Sequence, residues 1–320
     1  VGETRVRVVA FGGGHGLSAS LRALRTLRDQ GAPLDITAVV TVADDGGSSG
    51  RLRAERGVLP PGDLRQALVA LSGASPIAAQ LFQYRFDGQD PLAGHAVGNL
   101  VLTGLLELLK DPVEALEHAA RLLDARGRVL PMASVPLRIE ADVRGPDGRV
   151  TVADGQHAVA VSRGEVLEVR LDPPDPPVPE DVISAVNDAD WLVLGPGSWY
   201  TSVIPHLLVP QLARAISASR SNRLVMLNLA AEKETAGLSL ADHLRALSDY
   251  MSELCVDVVL ADTTAVGDPE PVRRAAQTLG ARLVLAPVAV ADGSPRHDPA
   301  ALAAALQPIL GPRVGRHDAR

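Results

Sequence analysis

Apolar positions along this chain fall into two alternating rhythms. Short runs rich in β-branched residues, beginning with Val6-Arg7-Val8-Val9-Ala10-Phe11, stop at glycines and give way to leucines at helical spacing, here Leu17, Leu21, Leu24 and Leu27. A second run, Ile36-Thr37-Ala38-Val39-Val40-Thr41-Val42, leads into Ala43-Asp44-Asp45-Gly46-Gly47-Ser48-Ser49-Gly50-Arg51. Helical spacing then predicts helices over residues 63–71, with Asp63 as N-cap, 77–86, 100–109 and 113–124, the last closed near Gly127. The 100–109 segment is so rich in leucine that it should be buried on most sides. From residue 180 the alternation resumes. Helices are predicted over 180–189, 210–218, 240–251, 271–279 and 299–306, with strands over 191–194, 223–229, 256–261 and 282–285. This order predicts an α/β, Rossmann-like fold: a mostly parallel sheet covered by helices on both faces, within one domain spanning 1–320.

Between these stretches the rhythm changes. Residues 129–171 carry short β-type runs (137–143, 150–152, 158–161 and 166–171) broken by the turn signals Gly145-Pro146-Asp147-Gly148 and Arg163-Gly164. They predict a small β-rich insertion beside the main sheet. The proline-rich stretch 172–179 carries the chain back in an extended form. The charged tail after Gly311 is expected to be loose.

Composition narrows the function. A chain of 320 residues suffices for a large core, which here is built from Ala, Val and Leu with only eight aromatics. A net charge of −7 argues against a protein that coats nucleic acid. The single cysteine, Cys255, excludes an intrachain disulfide and a cysteine-based zinc cage; it lies in an apolar run and is expected in the core. No apolar stretch has the length of a membrane span and no signal peptide is evident, so a cytoplasmic location is expected.

The candidate chemistry lies at the glycine breaks. Gly12-Gly13-Gly14-His15-Gly16 has neither the spacing of the dinucleotide fingerprint nor the Gly-Lys-Ser/Thr of a Walker loop. Its glycines still let the backbone approach an anion at a helix N-terminus; the alternative is a tight turn alone. His15 faces either a ligand or solvent. Asp44 and Asp45 could hold a ribose diol, coordinate Mg²⁺ or act as a base, or one could cap the turn that follows. Adjacent side chains diverge, so one of the two should point into the site. Ser48, Ser49, Arg51 and Arg53 offer hydroxyl, main-chain and guanidinium contacts to phosphate. Asp63 and Asn99, each beside a glycine at a helix start, are candidates for the site or for capping. Gly195-Pro196-Gly197-Ser198-Trp199-Tyr200-Thr201-Ser202 is a second anion-friendly loop, in which Trp199 and Tyr200 offer flat surfaces to a base or sugar. The other histidines (His118, His157, His206, His243, His297, His317) show no metal-ligand spacing, and no nucleophile elbow is present. These residues argue for binding more firmly than for turnover.

The same residues carry a family resemblance. The runs 12–18, 41–53 and 60–65 resemble the YvcK-type gluconeogenesis factors, relatives of the 2-phospho-lactate transferases (CofD) of deazaflavin-cofactor synthesis. So do Leu81-Phe82-Gln83-Tyr84-Arg85-Phe86, Gly94-His95-Ala96-Val97-Gly98-Asn99 and the 195–202 loop. His15, where many members have Thr, resembles the actinobacterial branch. Glu232-Lys233-Glu234-Thr235-Ala236-Gly237 departs from a loop that usually carries Gly before Glu-Thr and Asp before the final Gly. The resemblance implies a Rossmann-like core that binds UDP-N-acetylglucosamine, and a regulatory role in cell-wall precursor supply and cell shape. As partners it implies a regulated enzyme of amino-sugar synthesis, and we also expect a homo-oligomer. The enzyme alternative is a CofD-like transferase in which Asp44 and Asp45 hold Mg²⁺ and the β-rich region clamps a deazaflavin acceptor. An NAD-binding sensor is the third class, and the first glycine spacing argues against it.

Overall fold

The computed structural model describes residues 5–310 apart from 163, 231, 232 and 236; the tail after Gly311 and three positions of the 230–237 loop lie outside the described residues. In chain order the first half comprises β1 (Val6–Gly12), α1 (Gly14–Asp29), β2 (Leu34–Val40), α2 (Gly47–Arg56), α3 (Pro61–Leu71), α4 (Pro76–Gln83), α5 (Val97–Leu109), α6 (Pro112–Leu122) and β3 (Arg128–Pro131). Next come β4 (Arg138–Arg144), β5 (Val150–Asp154), α7 (Gln156–Ala160) and β6 (Glu165–Asp172). The second half holds α8 (Glu180–Asp188), β7 (Trp191–Leu194), a π-helical turn (Trp199–Val203), α9 (Pro205–Leu208), α10 (Pro210–Ala218) and β8 (Asn222–Met226). A 3₁₀ turn (Lys233–Thr235), α11 (Leu240–Tyr250), β9 (Val258–Asp262), α12 (Glu270–Thr278), β10 (Arg282–Ala286) and α13 (Pro299–Leu306) complete it.

Seven strands form a parallel sheet in the order β10-β9-β8-β7-β1-β2-β3, flanked by helices. The chain builds outward from β1 to β3, then returns to the other side of β1 with β7 and builds outward again. The switch point therefore lies between β1 and β7, and ligands of such sheets bind in the crevice above the carboxyl ends of those strands. The leucines Leu17, Leu21, Leu24 and Leu27 are all buried, so the helical stripe read from the sequence is the face α1 turns to the core. The expected β-rich insertion is the antiparallel sheet β5-β4-β6.

Local departures from the expected elements have physical causes. Residues 128–131 pair with β2 at the edge of the main sheet, so the antiparallel sheet begins only at Arg138. Residues 158–161, read as a β run, fall largely within α7, because the Asp45 carboxylate accepts from His157 N–H at 2.9 Å and caps that helix from outside. Helix α3 starts at Pro61, whose missing N–H is harmless in the first turn, so Asp63 is the third residue of that turn and not the N-cap. Cys255 is exposed, not buried: Leu254 and Val256 on either side turn inward and leave it facing out. Helix α5 is not covered on most sides either; Leu100, Val101, Leu105 and Leu109 are only half-buried and Leu108 is exposed.

Candidate functional site

The two glycine loops meet. Gly12–Gly16 follows β1 and Gly195–Gly197 follows β7, the two strands at the switch point. A Cβ on Gly16 would lie 2.2 Å from Pro196 O and 2.6 Å from Gly197 Cα, so the main chains touch where a side chain would separate them. Gly14 (φ +55°) and Gly197 (φ +143°) adopt backbone conformations that L side chains rarely take. Asn228, at the end of β8, clamps the second loop from below: its Oδ1 accepts from Gly197 N–H at 2.8 Å and its Nδ2 donates to Gly197 O at 2.9 Å. At the N-terminus of α1 the cap residue Gly13 has no side chain, and Asp63 takes only the Gly14 N–H, so an anion on the crest would meet the remaining N–H groups of that turn.

A carboxylate pair lies under the first loop. Asp63 is buried and accepts from Gly14 N–H. Its Oδ2 stands where a Cβ of Gly13 would be, with 2.4 Å between them. Burial, and then the charge of Asp44, pushes the Asp63 carboxyl up to about 7. Burial also holds Asp44 above the ordinary carboxylate range, opposed by its hydrogen bonds from Gly46 N–H (2.9 Å) and from Ser49. Arg65 faces both carboxylates, and burial followed by the charge of Arg85 brings its guanidinium down to about 10. The adjacent aspartates do diverge: Asp44 joins Asp63, whereas Asp45 faces Gly155 and His157 of the insertion.

Behind the pair runs a buried polar chain. Ser48 Oγ lies 3.0 Å from His95 Nδ1 and accepts from Asn99 Nδ2 at 3.0 Å. Asn99 Oδ1 in turn accepts from Arg65 Nε at 2.8 Å, and Arg65 also donates to Gln83 Oε1. Ser49 Oγ accepts from Gly62 N–H at 2.8 Å, tying α2 to α3. Asn99 is the third residue of α5, so its side chain serves this network instead of capping the helix. Burial, and then the Arg51 charge, holds His95 below its usual range. Arg51 itself is exposed and donates to Ala93 O at 2.7 Å. Arg53 donates to Ala43 O at 3.4 Å, with Asp45 and Asp44 as its nearest opposite charges.

On the other side of the crests a cleft of about 400 Å³ opens toward β8 and β10. Gly16, Pro196, Gly197 and Asn228 line its base, with His15, Arg22, Arg296 and His297 around it. His15 thus faces the cleft. Burial holds His297 below its usual range. The turn beyond β9 is fixed by Asp262, whose carboxylate accepts four backbone N–H groups (Thr264, Ala265, Val288, Ala289) at 2.8–3.1 Å.

The aromatic pair of the second loop does not present flat faces on the crest. Trp199 is fully buried with its ring edge-on to His243, and Tyr200 is buried beside Tyr250, its hydroxyl pushed up to about 12 by burial. Ser198 opens the π-helical turn and Thr201 is buried within it. The Tyr200 N–H donates to Glu234 Oε1 at 2.9 Å, so the 233–235 turn supports this loop. Gln83, Asn228, Glu234, Arg296 and His297 were not singled out from sequence as site residues. Asn228 and Glu234 bond partners 31 and 34 positions away, and only Gln83 and Glu234 fall within segments that the family resemblance marks. Among the described residues no group of three His, Cys, Asp or Glu side chains could hold a metal, and no helix is long and apolar enough to cross a membrane.

Comparison with known proteins places the chain in a family and matches its fold. The model of the 2-phospho-L-lactate transferase CofD family matches residues 8–284. A Mycobacterium tuberculosis protein provisionally named a gluconeogenesis factor is 49% identical, over 96% of this chain and 91% of its own length. The gluconeogenesis factor of Bacillus subtilis is 37% identical, over 87% of this chain and 84% of its own. The crystal structure of a UPF0052-family protein from Bacillus halodurans superposes with a TM-score of 0.84 at 35% identity, covering 96% of this chain and 100% of that one. The chain belongs to the CofD family, among its gluconeogenesis factors.

Proposed function

We propose that this protein is a regulatory nucleotide-sugar receptor whose ligand is UDP-N-acetylglucosamine, and that it adjusts cell-wall precursor supply and cell shape through a regulated enzyme of amino-sugar synthesis. The observation that carries this reading is the contact of the two glycine crests at the switch point. A diphosphate laid across them meets the N-terminal turn of α1 and the main chain at Gly197, with Arg22 and Arg296 at the cleft. To Asp44, beside Asp63 under the first crest, we assign the sugar or ribose hydroxyls. Side chains on both flanks are held by protein partners, which suits a preformed binding site. Calorimetric titration with UDP-N-acetylglucosamine tests the reading. Saturable heat is expected, and no heat alongside clear binding of a different phosphate ligand would reject it.

The transferase reading draws on the CofD match and on the Asp44–Asp63 pair. Two carboxylates with phosphate oxygens and water make a donor set of the kind Mg²⁺ accepts. The pair differs from the one expected from sequence, since Asp45 is engaged by the insertion. Formation of a phospholactyl product from a deazaflavin acceptor and an activated donor, dependent on Mg²⁺, would decide for this reading.

A further inference from the structure

Strand β6 is an outer strand of the small sheet and pairs with β4 along one side only. Its other side faces helix α11 across a groove of about 830 Å³. Residues 164–169 form the strand wall. Asp242, Arg245, Ala246, Asp249 and Tyr250, which share one helical face, form the other. Val169 N–H points away from β4 and donates to the Tyr250 hydroxyl at 2.9 Å, so main-chain groups of this edge open into the groove. Among the described residues, 165–168 have no backbone partner on that side. Tyr200, Leu208 and Leu238 complete an apolar and aromatic lining. A strand edge facing a helix across such a groove is the geometry in which an extended peptide adds to a sheet. The peptide main chain bonds the edge and its alternate side chains enter the groove. Residues 165–169 span about 13 Å, enough for a segment of about five residues.

The charges select the occupant. Glu165, Glu168, Glu234, Asp242 and Asp249 line the groove against one basic side chain among the described residues, Arg245, which is paired with Asp242. Arg144 and Arg170 pair with Glu165 and Glu168 from within the sheet. Asp249 is exposed and forms no ion pair among the described residues. The negative field reaches both tyrosine hydroxyls. Burial raises them first, and the charges of Asp249 and Glu234 at Tyr200, and of Glu168 and Asp249 at Tyr250, raise them further. A second copy of this chain would bring the same acidic edge and be repelled. A segment rich in arginine or lysine would be drawn in.

We propose that the β6–α11 groove binds an extended basic segment of a partner protein, which joins the small sheet as a strand beside β6. The groove shares no lining residue with the cleft beside the glycine crests, so this inference does not rest on the nucleotide-sugar reading.

Fluorescence anisotropy of the full chain with a labelled heptapeptide of alternating arginine and valine tests it. Saturable binding is expected. Asp249→Arg, at an exposed position, sets like charge against the peptide and should weaken binding about tenfold or more. Asp35→Arg, an exposed acid on β2, changes the net charge equally and should leave the affinity unchanged. The same peptide N-methylated at every residue keeps its charge and side chains but has no main-chain donors; it should bind about tenfold more weakly. Hydrogen exchange of the unmodified protein gives a readout independent of any variant's folding: the peptide should protect amides of residues 165–169 and of α11. No saturable binding, equal binding of the methylated peptide, an affinity unchanged in Asp249→Arg, or protection confined to other elements would each overturn the proposal.

Discussion

Asp63 holds a proton that an unfolded chain would have released. Its carboxyl rises from 3.8 to about 7 because burial and the neighbouring Asp44 both disfavour the charged form, against the weaker pull of Gly14 N–H and Arg65. The two carboxylates interact, so they titrate as a pair. Between these values the native state binds more protons than the unfolded state, and stability therefore falls as pH rises. The contribution is complete below about pH 4, declines through pH 7 and is lost above it. At about 1.4 kcal/mol for each pH unit the ceiling of this effect is on the order of 4 kcal/mol. Asp63→Asn keeps an acceptor for Gly14 N–H while removing the titration. Urea midpoints measured at pH 5 and pH 8 should differ less in this variant than in the parent, with the gain at pH 8. An unchanged difference would mean that Asp63 is ionised throughout.

At the scale of elements, the insertion is tied to the loop between β2 and α2 by one carboxylate. Asp45 caps α7 from outside, and Gly155 leaves room for it, since a Cβ there would lie 2.1 Å from Asp45 Oδ2. Loss of a cap typically costs about 1 kcal/mol. Asp45→Ala should therefore speed hydrogen exchange in residues 156–160, while Asp44→Ala should weaken ligand binding and leave those amides unchanged. The converse pattern would reassign the two side chains. The same contact shows where sequence reading reaches its limit. Val6–Phe11, Trp191–Leu194 and Pro299–Leu306 were legible because apolar runs and prolines mark them locally. Residues 158–161 look like a strand because the group that makes them helical lies 112 positions earlier in the chain. In the same way, both glycine crests were readable as anion-friendly turns, but the Asn228 clamp and the Ser48–His95 contact join residues 31 and 47 positions apart. Trp199 and Tyr200 were placed on the crest by composition alone, whereas packing against His243 and Tyr250 draws them inside.

At the scale of the molecule, the binding crevice is the seam between two halves of one sheet, β1–β3 on one side and β7–β10 on the other. Hydrogen bonds between β1 and β7 close the seam below, and above it the halves meet main chain to main chain at Gly16 and Gly197. A ligand lying across both crests adds contacts to each half, so its binding energy should appear as stability of the whole fold. At a hundredfold excess over its dissociation constant that linkage is worth about 2.7 kcal/mol. For a chain of this length, that corresponds to a rise of roughly 4 °C in the unfolding midpoint. Gly16→Ala separates the crests, because its methyl group has only the backbone of Pro196 and Gly197 to displace. Overpacking of this kind typically costs about 1–3 kcal/mol. In calorimetric scans with UDP-N-acetylglucosamine, the parent midpoint should rise and the lowered midpoint of Gly16→Ala should not move. A variant that regains the full ligand-dependent rise would show that the ligand sits on one half alone, and the seam would then be a feature of folding without a part in recognition.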